Sequence, residues 1–210
     1  MLAGCEEKLS TLHPAGPAAA AVAELWWVML AGGTLIFLFV MALLALAFRR
    51  NGGGGGSART WIVGLGLIFP VTVLAALLFW GLALGERHLG AGQGPATLVQ
   101  AEARQWAWTF RYPSLGLPPA EDVLTIPAGQ PVDVEITSTD VIHSFWVPRL
   151  AGKLDAIPGH VNVLRLQADA PGEYHGLGAE FSGKGYLHSR FTVRALAPAD
   201  WNAFLTGAPP

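Results

Sequence analysis

Four histidines, His143, His160, His175 and His188, stand with Glu180 in one stretch of the chain's second half. Imidazole and carboxylate are donors that zinc and Cu(II) accept, so two or three of these histidines with Glu180 could hold either ion. Softer chemistry is limited at once. A mononuclear blue-copper site needs a cysteine thiolate, and the only cysteine, Cys5, lies near the other end of the chain. A single cysteine also allows no intrachain disulfide. The simpler reading of the four histidines is as surface or hydrogen-bonded core residues. We adopt it and assign no metal ligand. Ser10 and Ser57 are read as lacking a base to activate them as nucleophiles. The run Gly52–Gly56 lacks the Lys-Ser/Thr ending of a phosphate loop and reads as a linker.

The elements that carry these residues follow from composition. Of 210 residues, 52% are hydrophobic and 13% charged, too apolar for an ordinary soluble domain. The net charge of −2 offers no basic patch, so nucleic acid is excluded as a partner. Residues 25–48 and 61–85 carry no charge and are each long enough to span a bilayer. Trp26, Trp27, Trp61 and Trp80 lie near their ends, where interfacial aromatics belong. The connection 49–60 carries Arg49, Arg50 and Arg59 and no acid, which makes it cytoplasmic by the positive-inside rule. Both termini then face the periplasm, as a multi-pass protein of a bacterial inner membrane. Pro70 is expected to kink the second span, its neighbours satisfying the freed carbonyl. Residues 1–24 form a periplasmic lead-in. Within it Leu2-Ala3-Gly4-Cys5 reads as a lipobox, so Cys5 is a lipidation candidate or an ordinary residue.

From 96 to 195 the pattern changes to short strands between turns. Val132, Val134 and Ile136 alternate with polar residues, as does the stretch 161–168. Trp106, Trp108 and Phe110 have the spacing of one strand face. Such strands, broken by Pro-Gly turns, predict an all-β sandwich. Residues 198–205 could close the domain as a short helix within the tail 196–210.

Several segments in fixed order carry a resemblance. They are Gln105–Phe110, Asp140–Pro148, Gly152–Gly159, Ala170–Tyr174 and Ala179–Gly183. The chain resembles subunit II of haem-copper terminal oxidases. The resemblance implies a two-helix membrane hairpin followed by a cupredoxin-like periplasmic domain. In that family the domain holds a dinuclear copper centre, with two bridging thiolates, two imidazoles, a thioether and a backbone carbonyl. The family's pattern falls on His143, Gly178, Glu180, Ser182, Tyr186 and Ser189. His143 and Glu180 match, whereas both cysteines, the second histidine and the methionine are replaced. Residues Phe181–Tyr186 resemble the corresponding run of bo-type ubiquinol oxidases, whose domain carries no copper.

The resemblance therefore implies a bacterial, ubiquinol-oxidising terminal oxidase that reduces oxygen to water and translocates protons. This chain would be a non-catalytic subunit with no catalytic or cofactor-binding residue of its own. Haems and copper are expected in subunit I, and the partners would be subunit I, subunit III, ubiquinol and membrane lipid. Trp106 matches the tryptophan that receives the electron in cytochrome c oxidases, but packing or contact with subunit I is the expectation here. Asp155 is expected to have a structural hydrogen-bonding role. The glutamate found in many relatives near the start of the second helix has no counterpart between Ser57 and Pro70. Restoring Cys at 178 and 182, His at 186 and Met at 189 is expected to recreate copper binding. The alternatives are a cytochrome c oxidase subunit II with a degenerate or atypical electron-entry site, or an oxidase assembly protein.

Overall fold

The computed structural model describes residues 7–49, 57–88 and 94–207. Cys5, most of the 49–60 connection and residues 89–93 lie outside the described residues. The chain divides into two units, one of Glu24–Arg87 and one of Met1–Ala23 with His88–Pro210.

The first unit is helical. Helix α1 runs Pro17–Arg49 over 33 residues. It starts ahead of the uncharged stretch 25–48, because proline suits a first helical turn and the alanines that follow are the strongest helix formers. The second span opens with a π-helical segment, Thr60–Ile68, and continues as α2, Phe69–His88. At 1.5 Å per residue, 33 and 26 residues reach about 50 and 39 Å, more than a bilayer core of about 30 Å. Apolar side chains such as Ile62 and Phe79 are 70% and 72% exposed in the chain alone. A helix that is apolar on every side needs lipid or other helices around it, and the two spans mark a membrane-anchored chain. Proline has no N–H for the Gly66 carbonyl. The backbone around Pro70 adjusts by π-helical pairing, with the Phe69 N–H donating to the Gly64 carbonyl. The Thr72 hydroxyl donates to the Ile68 carbonyl at 2.8 Å.

The second unit is a sandwich of two five-stranded sheets. One has the order β3-β2-β1-β5-β8: Ala120–Glu121, Ala107–Arg111, Thr97–Arg104, Val132–Ser138 and Asn162–Leu166. The other has the order β4-β10-β9-β6-β7: Val123–Pro127, Arg190–Leu196, Gly172–Phe181, His143–Trp146 and Leu154–Ala156. β1 pairs with β5, and β4 with β10, in parallel; the other pairings are antiparallel. Val132, Val134 and Ile136 are fully buried, as their alternation predicts. Between the sheets Trp108, Phe110, Phe145 and Phe191 form an aromatic core, with Phe145 and Phe191 stacked at 4.8 Å. Gly176 pairs with Phe191 across β9 and β10, and a Cβ at 176 would lie 2.2 Å from the ring. Helix α3, Pro198–Leu205, closes one edge as expected, its Phe204 ring 5.6 Å from Tyr112.

Residues from the N-terminal lead-in belong to this unit. The Ala15 N–H donates to the Arg149 carbonyl at 2.7 Å, and the Ala15 carbonyl accepts from Asp169 N–H at 2.9 Å. At Gly16 a Cβ would fall 2.1 Å from the Gln167 carbonyl oxygen, so only glycine fits there. Ser10 does meet a base: His13 Nδ1 lies 3.2 Å from its hydroxyl. That hydroxyl also accepts the Leu12 N–H at 3.3 Å, the bonding of a local turn.

Candidate functional site: the buried histidine of the β-domain

β6 begins at His143, which is fully buried. Opposite it β9 carries an irregularity: His143 pairs with Phe181, whereas Phe145 pairs with Gly178. Two steps on β6 thus face three on β9, and such bulges re-aim side chains. Phe181 adopts a left-handed backbone with φ 69°, which costs a non-glycine residue about 1 kcal/mol. Its ring is 61% exposed, while Ser182 beside it is fully buried.

The result is a chain of hydrogen bonds. Asp140 Oδ1 lies 2.7 Å from His143 Nε2, and Ser182 Oγ lies 2.8 Å from His143 Nδ1. A carboxylate only accepts, so Nε2 carries a proton. In the neutral ring Nδ1 then accepts the Ser182 O–H. Asp140 also accepts the Gln105 N–H at 2.7 Å and the Val141 N–H at 2.6 Å. Partial burial pushes its carboxyl upward, but the bonds from His143, Val141 and Gln105 outweigh this and hold it at about 2. The order Asp-His-Ser is that of a hydrolase triad. With His143 and Ser182 both at 0% exposure, no substrate carbonyl reaches the hydroxyl. The arrangement is a structural plug.

The other positions read from the sequence lie close by but carry no metal donor set. Gly178 has no side chain, and its N–H donates to the Ser189 carbonyl at 2.6 Å. Ser189 is fully buried and its Oγ accepts the Trp108 Nε1–H at 3.1 Å. Tyr186 is 40% exposed in a 3-10 turn, Tyr186–His188. The Glu180 carboxylate makes an exposed ion pair with Lys153. A thiolate-bridged copper pair does not fit these residues. Its bridging sulfurs have no counterpart, and the one imidazole in place is held by a hydroxyl. Among the described residues no three His, Cys, Asp or Glu side chains group as a metal site. His160 is exposed and pairs with Asn162 at 3.1 Å.

One expectation is corrected here. Trp106 does not share the strand face of Trp108 and Phe110. It sits in the turn before β2, 41% exposed, and its Nε1–H donates to the Ser182 carbonyl at 2.9 Å. At Asp155 the hydrogen bond found is to the backbone carbonyl, which accepts the Asn162 amide at 2.7 Å. The sequence reading placed Asp140 in a motif without giving it a role. The one local signal was its position three residues before His143, where its carboxylate meets the ring.

Comparison with known proteins agrees with this architecture. Residues 117–196 match the family described as "Cytochrome C oxidase subunit II, periplasmic domain". A cytochrome c oxidase subunit 2 from Alkalihalophilus pseudofirmus is 38% identical over 109 residues, 52% of this chain and 32% of that protein. A quinol oxidase subunit 2 from Bacillus cereus is 39% identical over 97 residues, 46% of this chain and 33% of that protein. The matches span about a third of the length of these relatives. The crystal structure of the periplasmic domain of subunit II (CoxB) of Bradyrhizobium japonicum superposes with a TM-score of 0.52 and 24% identity. It covers 55% of this chain and 95% of that domain, and it shows the shared cupredoxin-like fold. Residues 117–196 are thus similar to the periplasmic domain of subunit II, and the relatives matched include subunit 2 of both cytochrome c and quinol oxidases.

Proposed function

We propose that this chain is subunit II of a bacterial, ubiquinol-oxidising haem-copper terminal oxidase, and that its β-domain works without copper. The observation that carries this reading is the 2.8 Å contact between Ser182 Oγ and His143 Nδ1. The imidazole that would bind metal is committed to a hydroxyl standing where a bridging thiolate belongs. Electrons from a soluble donor have no relay in this domain, so the donor is one that delivers them within the membrane, a quinol. Trp106 then serves packing, tying the β1–β2 turn to the segment of Ser182 through its indole N–H.

The chain's contribution is structural. Its two spans anchor it, and its domain caps a haem-bearing subunit I, which with subunit III reduces oxygen to water and moves protons. The arginines flanking the connection support a cytoplasmic loop and both termini in the periplasm. Lipidation at Cys5 would add a further anchor.

Oxygen uptake by the purified complex, with ubiquinol and with reduced cytochrome c as alternative donors, tests the reading. Turnover with ubiquinol alone is expected, and metal analysis should find no copper beyond that of subunit I. Turnover with cytochrome c would refute it. Absence of the chain from the mature complex would point to an assembly protein.

A further inference from the structure

Within the second unit the β-domain and the first turns of α1 enclose a cleft of about 290 Å³, near the lower end of the range of small-molecule sites. Ala19, Val22, Trp146 and Pro148 give it apolar walls, and its charged lining residues are Lys153 and Glu180. Those two pair with each other and are 45% and 49% exposed. The cleft is separate from the hydrogen bonds of His143, and nothing argued so far uses it.

Its depth in a membrane follows from α1. Val22 stands four residues before Trp26 in this helix, about 6 Å along the axis. Trp26 and Trp27 lie at the start of the uncharged stretch, and tryptophan sits where hydrocarbon meets headgroups. The headgroup layer is about 5–7 Å thick on each side of the bilayer. Val22 therefore lies at headgroup depth, and so does the cleft it lines.

A headgroup that fits must satisfy a cation and an anion side by side. The Lys153 ammonium has three donors and the Glu180 carboxylate accepts at both oxygens, so each has capacity for a second partner. An exposed ion pair adds little stability, so a ligand shares its charges at small cost. A lipid phosphate accepts from Lys153, and a primary ammonium donates to Glu180. An anionic headgroup with no cation meets repulsion from Glu180, and a quaternary ammonium has no N–H to donate.

We propose that this cleft binds phosphatidylethanolamine, with its phosphate on Lys153, its ammonium on Glu180 and its glycerol and upper acyl carbons between Val22 and Trp146. The site needs only the membrane anchor and holds for either electron donor.

Native mass spectrometry of the full chain tests the site. The chain is delipidated in detergent and offered phosphatidylethanolamine, phosphatidylcholine or phosphatidylglycerol with the same acyl chains. The ethanolamine lipid should bind about fivefold more tightly than either of the others. Lys153→Gln combined with Glu180→Gln should abolish that preference. Equal binding of the three lipids by the parent would overturn the proposal, as would a preference unchanged in the double variant. Glycerophosphoethanolamine, which has the headgroup but no acyl chains, should compete about tenfold less well than the lipid. Equal competition would make this a site for a soluble phosphate and overturn the lipid assignment. If the double variant fails to fold, a photo-reactive amino acid in place of Val22 decides the matter in native membranes. A phospholipid adduct is expected, and adducts to protein alone would give the cleft to another subunit.

Discussion

The aromatic core and the pocket of His143 lie in one sandwich and share a residue, yet they are built by different rules. Trp108 packs its ring against Phe145 and Phe191 and gives its N–H to Ser189. On the core side shape and size decide. Removing a ring opens a cavity, and the loss scales with the volume left behind. On the His143 side each ring nitrogen depends on one named partner. Removing a partner strands a buried donor or acceptor, whatever the volume. The core would accept many apolar sets of similar volume, but the plug accepts few substitutions. A buried hydrogen-bonded cluster therefore constrains its sequence through partners, where an apolar core constrains it through volume.

The largest effect is expected on the core side. Phe191→Ala should destabilise the domain by about 3–5 kcal/mol, measured by denaturant titration with near-ultraviolet dichroism. His143→Ala should cost less, about 1–3 kcal/mol, by leaving Asp140 and Ser182 without their shared partner. If the histidine variant proved the costlier of the two, the ranking of core over plug would be wrong. Tyr112 sharpens the contrast from a third position. Its hydroxyl donates to the Thr125 carbonyl at 2.9 Å and accepts the Thr125 N–H at 2.7 Å. Burial, partly offset by these bonds, pushes its ionisation from 10.0 up to about 12. The folded state then holds the proton that the unfolded chain releases, so stability is complete below pH 10 and falls between pH 10 and about 12. Tyr112→Phe should cost about 1 kcal/mol at neutral pH and flatten that alkaline slope. The smallest effect belongs to the surface. Lys153 and Glu180 are 45% and 49% exposed, and Lys153→Ala should change stability by less than about 1 kcal/mol.

Much of the architecture was legible along the chain because it depends on local pattern. Uncharged stretches too long for a core helix mark the spans, and alternation at 132–136 marks a strand with one buried face. The residue types at 178 and 182 were also legible, since a residue's chemistry is written in its identity. Trp106 was misplaced because spacing alone does not separate a strand residue from the turn before it. The docking of residues 13–16 on Arg149, Gln167 and Asp169 was missed for a different reason. These partners lie more than a hundred positions away, and no periodicity connects them.

The sequence by itself determined two membrane-length helices, a β-domain after them and the absence of cysteine from residues 96–195, because length, polarity and residue type need no partner. Only the tertiary structure decided what surrounds His143. Ser182 reaches His143 from 39 positions away, and Trp108 reaches Ser189 from 81. Hydrogen bonds act over about 3 Å in space and carry no trace along the chain, so only folding could show that Ser182 meets His143 and that Ser189 meets Trp108.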